Sequence, residues 1–113
     1  MGKAYTDIEQ SKKLAKILPP ESADMWWREV SYGFYHIEAE ILKGWYDVPP
    51  KGIPCWSLAA LLSILPKGTR LLKSATDDTY HCDCPKGNID KWFDNPIDAA
   101  FEIVCWLKEN NKI

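Results

Sequence analysis

Asn95-Pro96-Ile97-Asp98-Ala99-Ala100-Phe101-Glu102 and, earlier in the chain, Ile53-Pro54-Cys55-Trp56-Ser57-Leu58-Ala59-Ala60-Leu61-Leu62 decide the fold. Each stretch joins a helix start signal to an apolar stripe and has a tryptophan in or near it. In the later one, Asn95 suits the N-cap, Pro96 the first helical position, and Asp98 complements the helix dipole. Ile97, Ala100, Phe101, Val104 and Leu107 then recur on one face. In the earlier one, Ser57 is the cap and Trp56 stands where a hydrophobic staple to Leu61 would form. Leu58, Leu61, Leu62 and Leu65 make its buried stripe, which Pro66 and Gly68 end. Both read as helices docked on a shared core, which describes architecture and no chemistry.

Towards the N-terminus, Thr6 followed by Glu9 is a capping-box pair, predicting a helix that runs to Leu18. Ile8, Ser11, Ala15 and Leu18 share a face with Leu14 beside them, and acids (Asp7, Glu9) precede lysines (Lys12, Lys13, Lys16) as the dipole favours. Pro19-Pro20 stops it. Between the first two helices, Tyr35 to Ile41 alternates and places Tyr35, Ile37, Ala39 and Ile41 on one side of a strand. Trp26 to Tyr32 reads as its partner strand, with the turn at Gly33. A helix through Val30, Phe34, Ile37 and Ile41 is the competing pattern. Gly44 to Pro54 reads as a rigid loop. Arg70 to Ala75 and Thr79 to Cys84 form a hairpin about Asp77-Asp78, followed by a turn at Pro85-Lys86-Gly87-Asn88. Trp92-Phe93 adds a short strand or covers the core. The expected fold is α+β: three helices packed against a small antiparallel sheet in the order α-β-β-α-β-β-α, one domain over residues 1–113.

With 113 residues, 46% of them hydrophobic, the chain is long enough to bury a core without disulfide or metal. The formal net charge of −2, with both signs interleaved, argues against a nucleic-acid or anionic-membrane face. The longest apolar stretch, Leu58 to Leu65, is far short of the ~20 residues that span a bilayer, and no signal-peptide pattern opens the chain. Cys55, Cys82, Cys84 and Cys105 therefore read as reduced thiols of a cytoplasmic protein.

The segments IPCWSLAALLSILPKG (residues 53–68) and FDNPIDAAFEIVCWLKEN (residues 93–110), in this order and spacing, resemble a family of small proteins from prophage and mobile-element regions of anaerobic gut bacteria. The likeness covers about a third of the chain. It implies a cytoplasmic, accessory-gene setting and no activity.

Chemistry has few candidates. His81-Cys82-Asp83-Cys84 is the one metal-like cluster: on a strand Cys82 and Cys84 share a face and two thiolates can hold a soft cation such as zinc, with His81 pointing the other way. Cys55 or Cys105 would have to complete the shell. Two small residues on a hairpin strand is the plainer reading. Cys55 precedes a helix N-terminus, where a thiol can become reactive with His36 or His81 as base, yet no oxyanion loop accompanies it. Glu38, Glu40 and His36 share a strand face in a way that suits acid–base work or simple solvation. No phosphate loop, serine elbow or zinc-finger spacing occurs. The last helix carries a second apolar set, Ala99, Ile103 and Trp106, away from its first. A helix apolar on two sides is either sandwiched or presents a contact surface. The expectation is a non-catalytic protein that binds another protein or itself through exposed aromatic surface, with the zinc domain and the cysteine enzyme as alternatives.

Overall fold

The computed structural model describes residues 3–31, 34–39, 52–87 and 89–113, with the backbone course alone for 29–31 and 34–39. The described elements run α1 (Ile8–Ala15), a 3-10 turn (Pro20–Ser22), β1 (Met25–Ser31), β2 (Phe34–Ala39), β3 (Ile53–Cys55), α2 (Leu58–Ile64), β4 (Arg70–Lys73), β5 (Tyr80–Asp83) and α3 (Pro96–Glu109). The fold is α+β in the expected α-β-β-α-β-β-α order, with the short strand β3 added before α2.

The strands form two antiparallel sheets rather than one. β1 lies at the centre of the first, in the order β2-β1-β3, and β4 pairs with β5 in the second. Residues 25–31 and 34–39 are thus strands, not the competing helix. Trp26 opposes Glu38 on β2 and Pro54 on β3. Among the described residues β3 is an edge strand, the position in a sheet where proline is tolerated. The turn at Tyr32-Gly33, Ile41 and residues 44–51 of the expected loop lie outside the described residues.

The first helix starts one residue later than the Thr6–Glu9 pair predicts. Asp7 is the N-cap: its carboxylate accepts the Gln10 N–H while the Gln10 side chain accepts the Asp7 N–H, a complete capping box. Thr6 is buried instead, drawn out of the cap by tertiary bonds to the segment before α2. Its N–H donates to Trp56 O at 3.0 Å and its hydroxyl accepts the Trp56 N–H at 3.1 Å. Ser11 and Leu14 face the core, whereas Ala15 is exposed.

Ser57 caps α2 as expected, accepting from the Ala60 N–H while its hydroxyl donates to Asp24. Asn95 caps α3 through the Asp98 N–H. All five core positions expected on α3, Ile97, Ala100, Phe101, Val104 and Leu107, are buried. So are Ala99 and Ile103, each 1% exposed. The sandwiched alternative therefore holds for this helix, since α2 and β5 both pack on it. Trp106 is half-buried beneath the turn after β5, where a Cβ on Gly87 would stand 2.2 Å from Trp106 Cζ3. Lys86 Nζ ties the same turn to Lys112 O at 3.2 Å. The chain itself thus lies over Ala99 and Ile103, while Trp106 keeps part of its ring open beside the Gly87 turn.

Lys3 bridges the starts of α1 and α3. Its ammonium lies 3.0 Å from Asp7 Oδ2 and 2.9 Å from Asp98 Oδ1, and donates to Gln10 Oε1. Gln10 Nε2 and Asn95 Nδ2 donate to the two Asp98 oxygens.

Candidate interaction surface

Alternation along a strand sends consecutive side chains to opposite faces, so β5 has an inner and an outer set. Cys82 is inner and buried in the core cluster, as is Cys84 just beyond the strand. Tyr80 packs against that cluster from the same face. His81 and Asp83 are outer. On β4, Leu71 opposes Cys82 and packs inward, while Leu72 opposes His81 and Arg70 opposes Asp83.

Across the other edge of β5, Tyr80 and Phe93 exchange both backbone bonds, at 2.7 and 2.8 Å. This antiparallel bridge puts Trp92 beside His81, the two rings being 5.2 Å apart and tilted by 32°. The His81 ring lies against the backbone of the same segment, with Nδ1 3.1 Å from Lys91 O. Leu72, His81 and Trp92 form one row across the outer face. Leu72 is 37% and Trp92 45% exposed, and among the described residues these are the large hydrophobic side chains left open to solvent. The row is held from below. Phe93 packs on the core and carries the Lys91 ammonium 5.1 Å from its ring centre.

The hairpin that presents Leu72 is locally specified. Asp77 Oδ1 accepts both the N–H and the hydroxyl of Thr79, and Ser74 Oγ accepts the Thr76 N–H, so the turn closes on its own side chains. Those bonds hold the Asp77 carboxyl below the usual range. Arg70 and Asp83 are joined at 2.6 Å, and Lys73 lies 3.7 Å from Asp78 and over the Tyr80 ring.

The thiols occupy the opposite kind of environment. All four are free and buried. Burial pushes Cys82 up to about 11, with Cys84 and Asp83 adding to the effect, and burial also pushes Cys105 up to about 11. A nucleophilic thiol needs the reverse, a stabilised thiolate. No group of three or more His, Cys, Asp or Glu gathers as a metal site among the described residues. Cys55 is wholly buried and raised by that burial, against opposing hydrogen bonds from Thr6 and Ser11. His81, one of its two candidate bases, is on the outer face of β5. His36 and Glu38 occupy alternate positions of β2, opposite Arg28 and Trp26, and Glu40 lies outside the described residues.

A second surface feature is an open groove of about 530 Å³ along α1, lined by Glu9, Gln10, Lys12, Lys13, Lys16 and Phe101. Lys13 covers its ring, 5.8 Å from the Phe101 centre, and also approaches Glu109 at 3.9 Å. The groove is lined by solvated lysines and offers no enclosed polar group. Among the described residues no helix is long and apolar enough to cross a membrane.

Comparison with protein-family models, with curated proteins and with solved structures returns no match. The chemistry of this surface therefore rests on its own geometry.

Sequence reasoning left the second apolar face of α3 open between a sandwiched helix and a contact surface. The outward position of His81 was legible, since Cys82 and Cys84 face inward. The missing part was the pairing of Trp92 with His81, which follows from the Tyr80–Phe93 bridge and from nothing local.

Proposed function

We propose that this chain is a non-catalytic interaction protein of the accessory kind, acting in the cytoplasm, with the Leu72–His81–Trp92 row as its contact surface. The observation that carries this reading is the row itself. Leu72 and Trp92, exposed on either side of His81 on a braced sheet face, support a contact surface, and tryptophan is enriched at binding hot spots. A mixed aromatic and aliphatic face with charged residues at its margin suits a protein partner better than a polyanion. Four buried free thiols suit a reducing compartment. The same burial favours this reading over a cysteine enzyme.

A photo-crosslinking side chain placed at position 72 or 92 tests the reading. The expected result is a discrete protein adduct from both positions, none from the same probe at Lys16, and loss of the position-72 adduct on Trp92→Ser. Absence of any adduct from either position would overturn it.

A further inference from the structure

We draw no further inference here: the strongest candidate, the open groove along α1 beside Phe101, is lined by lysines whose charge is partly offset by Glu9 and by Glu109 near Lys13, and nothing in the structure shows what covers it.

Discussion

Thr6 Oγ1 accepts the backbone N–H of Trp56 at 3.1 Å, joining residues 50 apart in sequence at a wholly buried point. The same hydroxyl lies 2.7 Å from Ser11 Oγ, and Thr6 O accepts the Trp27 indole N–H at 3.2 Å. One residue thus connects the start of α1, the segment before α2, and β1, the first two through its hydroxyl and the last through its carbonyl.

Thr6→Val keeps the shape and removes the acceptor, leaving the Trp56 N–H buried without a partner. An orphaned buried donor costs about 1–3 kcal/mol. The valine variant is expected to unfold at lower urea than Thr6→Ser, which keeps the hydroxyl, by about 2 kcal/mol. Equal stability of the two variants would show that the hydroxyl contributes nothing.

The Lys3–Asp98 clamp has a defined pH window. Burial alone would raise the Asp98 carboxyl, but hydrogen bonds from Lys3, Gln10 and Asn95 outweigh it and hold the group below its usual value. A carboxyl depressed on folding contributes stability above its unfolded pKa, and that contribution is lost as pH falls through the folded value. Lys3 is raised despite partial burial, by Asp98 and Asp7, so its share is present below its unfolded pKa and is lost as pH rises through the folded one. Asp98→Asn is expected to cost about 1 kcal/mol at neutral pH, allowing for solvent screening. The gap to wild type should close below about pH 4. A gap that is constant down to pH 2 in thermal melts would contradict this.

Gly87 lies against the Trp106 ring, with space for no side chain and a φ of +153°. Gly87→Ala is expected to lower stability by roughly 1–3 kcal/mol, through overpacking and backbone strain. Adding Trp106→Leu should recover part of that loss. A fully additive double mutant in a denaturation cycle would mean that the two residues do not touch.

The thiols should be silent in the folded protein. With Cys82 and Cys105 at about 11 and Cys55 also raised, little thiolate exists at neutral pH, and burial bars the reagent. Labelling with an aromatic disulfide reagent is expected to be far slower than that of a model thiol, with all four cysteines reacting once the chain is unfolded. One fast native cysteine would restore the case for thiol chemistry.

Much of the fold was legible because its signals are local. Ser57 and Asn95 cap their helices within one turn, and Asp77 and Thr79 close their own hairpin. The Thr6–Glu9 box failed for a non-local reason: Trp56 takes the Thr6 hydroxyl, so Asp7 and Gln10 cap instead. The second face of α3 was left open for the same reason. Ala99, Ile103 and Trp106 recur at helical spacing, but spacing does not reveal that other parts of the chain cover Ala99 and Ile103.

The sequence by itself determined the order of the elements, two of the three helix starts and the inward face of the hairpin, because caps, turns and alternation act over a few residues. The tertiary structure alone decided the rest: two sheets instead of one, the burial of the second face of α3, and the row of Leu72, His81 and Trp92. Those depend on which distant segments share a ladder or a core. Backbone pairing and burial are satisfied over the whole chain at once, and no window of the sequence contains both partners.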